Sequence, residues 1–159
     1  MEDLNMTMAK ETYGVLCRML DNQKWHYDKF DDDLMIKATI KGDDFPIDFF
    51  VRVNPRNEVV SFLSVMPFKV EESKRIDVAL AICVANYGLV DGSFDYDLSD
   101  GSIIFRLTSS YKESTLGEAL FEYMIMVSAA TIDNYNDKFF MISKGMMTVQ
   151  QFIESEKGE

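Results

Sequence analysis

The chain has 159 residues, 47% of them hydrophobic, and a formal net charge of -11. This length fits a single domain over residues 1–159, and the apolar fraction is high enough to form a core, which excludes a disordered chain. A field of this sign repels phosphate backbones and anionic lipid, so we expect neither nucleic acid nor a membrane as a partner.

The first half of the chain predicts a helix, three strands and a second helix. Thr7 is the candidate N-cap of a helix that runs to about Asp21. Alternating apolar residues separated by short turns then predict three antiparallel strands, over residues 34–40, 45–53 and 58–66. A second helix follows over residues 73–87, and Gly88 is positioned to end it.

The second half predicts a hairpin followed by helices. Residues 93–98 and 103–107 alternate on either side of an Asp100-Gly101 turn. Thr115 and Glu118 have capping-box spacing, which predicts a helix that starts there and passes Ile132. Helical pattern resumes over residues 136–144, and a last helix starts at Thr148, where Thr148 and Gln151 repeat the capping spacing.

The order of elements, α-βββ-α-ββ-α(α), predicts an α+β fold with a five-stranded antiparallel sheet and helices. Clean alternation along the strands indicates that one sheet face is covered and the other is comparatively free. The link through the second helix leaves two arrangements open, with the two hairpins either neighbours in one sheet or apart.

One segment resembles a known family. Its residues are Asn86-Tyr87, Gly92-Ser93-Phe94-Asp95, Asp100-Gly101 and Phe105-Arg106. They resemble the YbjN family, labelled bacterial sensory transduction regulators, and the likeness covers about residues 35–135. The resemblance implies a fold like that of the type III secretion chaperones, frequent dimerisation and motifs that are structural, with no catalytic residue to carry over.

Patterns for catalysis or metal binding are weak. Asp95, Asp97 and Asp100 lack the glycine and final glutamate of a calcium loop, and the run 31–33 is typical of a solvated turn. His26 is the only histidine, and there is no phosphate-binding glycine loop and no Cys-x-x-Cys pair. We therefore expect no catalytic residue, no metal and no cofactor, although paired carboxylates that only the fold brings together stay open.

The cysteines and the start of the chain indicate its compartment. Cys17 and Cys83 each fall in a helical apolar pattern, where an unpaired cysteine is typically a small buried hydrophobe. Residues 1–11 lack the pattern of a secretory signal, and no apolar run approaches the roughly 20 residues that span a bilayer. A disulfide between Cys17 and Cys83 stays open on the sequence alone, but without a secretory signal we expect a cytoplasmic protein with unpaired thiols.

The second helix has no polar stripe, so it must be covered on both sides. It is either buried in the core of one chain or shared with a second copy, and we favour the second copy because a domain this long has few layers. The face toward the sheet would then be Ile76, Ala79, Cys83 and Tyr87. The face toward the second copy would be Val78, Ile82, Ala85 and Leu89.

Apolar residues also occupy outward positions on the strands. Met35, Phe50 and Ile104 could form a patch beside Arg52 and Arg106, and an apolar patch with a polar rim is typical of an interaction site. Alternatively, the C-terminal helices fold over this face and bury it.

We therefore predict a non-enzymatic protein-binding module, an adaptor or chaperone-like regulator that acts as a homodimer. The alternative is a small-ligand sensor or an unrecognised enzyme on the same scaffold. An enclosed pocket with convergent polar groups would favour the alternative, whereas an open apolar patch would favour protein binding.

Overall fold

The computed structural model describes residues 2–158 and shows one open antiparallel sheet with four α-helices. In chain order the elements are α1 (Glu2–Asn22), β1 (Asp28–Phe30), β2 (Met35–Lys41), β3 (Pro46–Asn54), β4 (Val59–Lys69), α2 (Arg75–Gly88), β5 (Ser93–Asp97), β6 (Ser102–Ser110), α3 (Glu118–Ser143) and α4 (Val149–Lys157). The six strands lie in the order β1-β2-β3-β4-β6-β5, so both predicted hairpins belong to the same sheet.

The sixth strand, β1, corrects the prediction of five strands. Its three residues are all exposed, so they show no alternation that could mark a strand in the sequence. Only pairing defines it, with Asp28 opposite Lys37 and Phe30 opposite Met35. The residues that join β1 to β2 form a short 3-10 helix, Asp31–Asp33, which Tyr13 of α1 holds by donating its hydroxyl to Asp31 at 2.9 Å.

One face of the sheet, the inner face, is buried. On the central strands Phe49, Val51, Val60 and Phe62 are at most 3% exposed, and they alternate with outward residues. Aromatic and β-branched side chains pack well on a pleated surface that is covered on one side. Burying each of them contributes about 1.5–3 kcal/mol, and together they fix which face is inside.

The C-terminal helices lie on the inner face. Helix α3 contacts β3, β4 and β6, and its Tyr135 and Phe139 rings pack edge-on against Phe94 of β5, with centroids 5.6 and 5.1 Å away. Phe152 of α4 extends the same cluster, 6.0 Å from Phe139. The helices therefore thicken the layer that already covers the sheet, and they leave its outer face open.

Two of the three predicted helix N-caps are wrong. Helix α1 begins at Glu2, so Thr7 lies inside it, and α3 begins after Gly117 without a side-chain cap, so the predicted box of Thr115 and Glu118 does not form. The box of Thr148 and Gln151 is confirmed, since both of its reciprocal hydrogen bonds are present, at 3.1 and 2.9 Å.

Helix α3 also continues through the break predicted after Ile132. Tyr135 and Phe139 carry its buried stripe onward, so packing against the inner face outweighs the weak local helix propensity of this stretch. None of the helices described between residues 2 and 158 has the length and apolar character that a bilayer crossing needs.

Candidate functional site

The outer face of the sheet carries the first candidate surface. The predicted residues Met35, Phe50 and Ile104 are half-buried, so the chain does not enclose them in its core. Strand pairing adds two apolar neighbours that the sequence analysis missed: Leu63 lies opposite Phe50, and Val65, which is 52% exposed, lies opposite Ile104. These five residues are the outer-face patch.

Charged side chains of both signs surround the outer-face patch. Arg52 lies opposite Met35 and is exposed, and Lys37 lies opposite Phe50. Arg106 is also exposed and its Nη2 atom lies 2.9 Å from Oδ2 of Asp95 on the neighbouring strand. The face therefore has an apolar centre and a polar rim, which is the composition of protein interaction surfaces.

A cleft opens in the outer face where β3 and β4 separate. Their pairing ends at Phe50 and Leu63, although both strands continue beyond it. Past that point the Ser64 hydroxyl donates to the Asp48 carbonyl oxygen at 2.7 Å, which links the two strands through a side chain in place of backbone hydrogen bonds. The cleft measures about 530 Å³.

The predicted dimer face of α2 is wrong, because it lies inside the chain. Val78, Ile82 and Ala85 are at most 4% exposed, and Leu89 packs against the same core. Small side chains explain this choice of face: Ala81 and Ala85 are both 0% exposed, and they let the helix backbone approach its neighbours closely enough to fill the core.

The opposite face of α2 is the exposed one. Ile76 is 66% exposed, Leu80 51% and Tyr87 95%, and Cys83, which was expected to be buried, is exposed as well. These four residues have i, i+4, i+7, i+11 spacing, so they form one continuous stripe along the helix. This α2 stripe is the second candidate surface, and Val90, 96% exposed, follows directly after the helix.

The family-like residues hold the β5–β6 hairpin together. Asn86 of α2 donates from Nδ2 to the Phe94 carbonyl oxygen at 3.0 Å and accepts from the Phe94 N–H at 2.8 Å. Its amide thus takes the place of a further strand at the edge of the sheet. Phe94 packs edge-on against Phe105 across the hairpin, with centroids 5.1 Å apart.

Two glycines in the same segment have backbone roles. Gly92 and Gly101 both have φ of +77°, which favours glycine. A Cβ atom on Gly101 would lie 2.5 Å from the Val70 carbonyl oxygen, and a Cβ on Gly92 would lie 2.8 Å from that of Arg106. The segment therefore forms a tightly packed corner, and its residues are structural.

The aspartates near this hairpin serve its turn. Asp97 accepts from the backbone N–H of Ser99 at 2.9 Å, and Asp100 accepts from the backbone N–H of Ser102 at 2.9 Å. Those hydrogen bonds to Ser102, together with Lys69 at 3.1 Å, lower the pKa of Asp100 to about 2. Among the side chains that the structure describes, no group of His, Cys, Asp and Glu is arranged to hold a metal ion.

Cys17 and His26 lie in different environments. Burial raises the pKa of the Cys17 thiol, which keeps it protonated and poorly nucleophilic. His26 is exposed on the loop before β1, between Trp25 and Tyr27.

Comparison with solved structures shows which proteins share the fold. The crystal structure of YbjN from E. coli is 11% identical, with a TM-score of 0.56 over 77% of this chain and 86% of that one. The HopA1–SchA chaperone–effector complex contains a chain 12% identical, with a TM-score of 0.60 over 83% of this chain and 97% of that one. The ExsC–ExsE complex contains one 13% identical, with a TM-score of 0.54 and coverages of 80% and 95%.

The predicted chaperone-like fold is therefore confirmed, with six strands in place of five. No curated protein matches the sequence. A family model described as "Putative bacterial sensory transduction regulator" matches residues 12–141, a longer stretch than the resemblance seen in the sequence. The chain belongs to the YbjN family.

Proposed function

We propose that this protein is a non-enzymatic protein-binding module, an adaptor or chaperone-like regulator, that binds its partner on the outer face of the sheet. The observation that carries the proposal is that the helices lie on the inner face while the outer-face patch stays open to solvent. The HopA1–SchA structure, a chaperone–effector complex of the same fold, supports a scaffold suited to holding another protein.

The shape of the surface favours a protein over a small ligand. The outer-face patch spans strands β2, β3, β4 and β6, and the cleft within it is open on the solvent side. Small-molecule sites enclose most of the ligand surface and place a few polar groups around it. A broad apolar area with charges at its rim instead suits an apolar segment of another chain.

The partner surface is tested by a pull-down from native lysate that compares the wild type with a Phe50→Ser, Ile104→Ser variant. Removing two central apolar side chains from an interface costs roughly 1–2 kcal/mol each, so recovery of the partner should fall about tenfold or more. A matched Leu4→Ser, Met146→Ser variant changes residues that are 64% and 70% exposed away from the outer face, and should keep the wild-type yield.

Circular dichroism and the unfolding midpoint of each variant establish that it is folded. Unchanged recovery with the Phe50→Ser, Ile104→Ser variant would refute the outer face as the binding surface.

We further propose that the protein is a homodimer joined through the α2 stripe. Each copy carries a net charge of -11, so two copies repel one another except where an uncharged surface allows close approach. Residues 78–90 contain no charged side chain, and the stripe adds large apolar groups within that stretch. A twofold pairing of two such stripes would bury Leu80 and Tyr87 in both copies.

The dimer is tested by Leu80→Asp, measured by light scattering coupled to size exclusion. A carboxylate placed in an apolar contact lacks a partner and costs several kcal/mol, so this variant should elute at the mass of one chain while the wild type elutes at twice that mass. Ser114→Asp adds the same charge at an exposed position in the segment between β6 and α3, outside α2, and should remain dimeric.

Cross-linking supplies an independent measurement of the same contact. A short bismaleimide should join two copies through exposed Cys83, whereas buried Cys17 should not react. A wild type that stays at one chain mass across micromolar concentrations would overturn the dimer.

A further inference from the structure

The cleft between β3 and β4 has walls of two kinds. Phe50 and Val65 supply its accessible apolar surface, because the inner-face residues Phe49 and Met66 are at most 5% exposed. Its apolar lining residues come from both faces of the sheet. They are Ala38, Phe49, Phe50, Val65 and Met66. Its polar walls are Asp28, Lys37, Thr39 and Asp48. At about 530 Å³ the cleft has room for one large side chain and its neighbour.

The charges around the cleft are unbalanced. Among the residues that the structure describes, neither Asp28 nor Asp48 forms an ion pair with a cationic side chain. Asp48 accepts from the Thr39 hydroxyl at 2.5 Å, which holds its carboxylate at the rim. Lys37 lies directly across from Asp28 on the neighbouring strand, yet its ammonium sits 5.2 Å from the Phe30 ring centroid.

We propose that this cleft anchors a large apolar side chain of the partner and that a basic residue next to it in the partner pairs with Asp28 and Asp48. This inference rests on the proposed function, and it names the chemistry that the partner presents. An aromatic anchor fits best, because the half-buried Phe50 ring offers an aromatic contact beside exposed Val65, and the cation completes an otherwise unmatched pair of carboxylates.

The pairing also explains how a partner is selected. An acidic residue beside the anchor would meet two carboxylates and the long-range field of a chain with net charge -11. A basic residue there gains attraction from both, and this attraction weakens at high salt. Selectivity between the two kinds of partner thus arises from repulsion as well as attraction.

The test is an NMR titration of the 15N-labelled protein with two probes, N-acetyl-Phe-Arg-amide and N-acetyl-Phe-Glu-amide. We expect the arginine probe to shift the amide signals of Thr39, Asp48, Phe50 and Val65, and to bind about fivefold more tightly than the glutamate probe. In an Asp28→Asn, Asp48→Asn variant the difference between the probes should disappear, while Asp43→Asn, Asp44→Asn, in the exposed turn before β3, should retain it.

The outcomes separate this inference from the proposed function. Equal binding of the two probes at the cleft, or binding of the arginine probe elsewhere, would overturn the basic-partner inference and leave the outer-face proposal to the pull-down. The same holds if neither probe shifts the cleft signals while the Phe50→Ser, Ile104→Ser variant loses its partner. If that variant keeps its partner, the proposed function itself fails.

Discussion

Gly101→Ala should lower the free energy of unfolding by about 3 kcal/mol or more, because two costs combine. The position has φ of +77°, and the added Cβ would lie 2.5 Å from the carbonyl oxygen and 2.8 Å from the nitrogen of Val70. Both atoms belong to backbone that is itself fixed, since the Val70 N–H donates to the Gly101 carbonyl oxygen at 2.9 Å. A thermal midpoint lower by roughly 6–12 °C is the expected result.

Gly88→Ala is the matched control for Gly101→Ala. A Cβ atom on Gly88 meets nothing within 4 Å, and its φ is not positive. Alanine there reduces the freedom of the unfolded chain, so stability should stay unchanged or rise by up to about 1 kcal/mol. Both variants are compared at one protein concentration, because the proposed dimer would make stability depend on it. Equal midpoints for the two alanine variants would contradict the tight corner at Gly101.

Asn86→Ala should lower the free energy of unfolding by about 2 kcal/mol, which the denaturant midpoint measures. The change removes both hydrogen bonds to Phe94, whose backbone groups at the sheet edge then lack a protein partner. Asn86→Asp keeps an acceptor for the Phe94 N–H but places a carboxylate against the Phe94 carbonyl oxygen. That variant should be destabilised as well, since the donor is lost and repulsion is added.

Asn134→Ala is the control for the loss of an asparagine from a helix. Asn134 is exposed on α3, where alanine has the higher helix propensity, so stability should not fall. A denaturant midpoint for Asn86→Ala equal to that of Asn134→Ala would show that the amide does not hold the edge strand.

The strands were predictable because period-two alternation reflects burial on one face only. The prediction of residues 45–53 for β3 differs by one position at each end from Pro46–Asn54. Strand β4 continues to Lys69, three residues past the predicted end, although it contains Pro67, a residue type that usually ends a strand. The strand accommodates Pro67 because its pairing with β6 is irregular between Val65 and Lys69.

The faces of α2 were not predictable, because both are apolar and differ mainly in side-chain size. The apolar side chains of Ile76, Leu80 and Tyr87 are larger than those of Ala81 and Ala85, yet the alanines face the core. Close approach of the backbone decides this, and periodicity carries no information about it.

The cleft could not be predicted either. Its existence depends on where β3 and β4 stop pairing, which is a property of the assembled sheet. Met35, Phe50 and Ile104 were identifiable as outward apolar residues by alternation, whereas their grouping with Leu63 and Val65 required the strand register.

The central claim, that a protein partner binds the outer face of the sheet, is tested most directly by photo-cross-linking in the cell. A photoreactive phenylalanine analogue replaces Val65, 52% exposed within the outer-face patch, or Glu154, exposed on α4 of the helical layer. The account predicts a discrete cross-linked protein from position 65 and none from position 154. Cross-linking from position 154 alone, or none from position 65 while the partner is still recovered by pull-down, would contradict it.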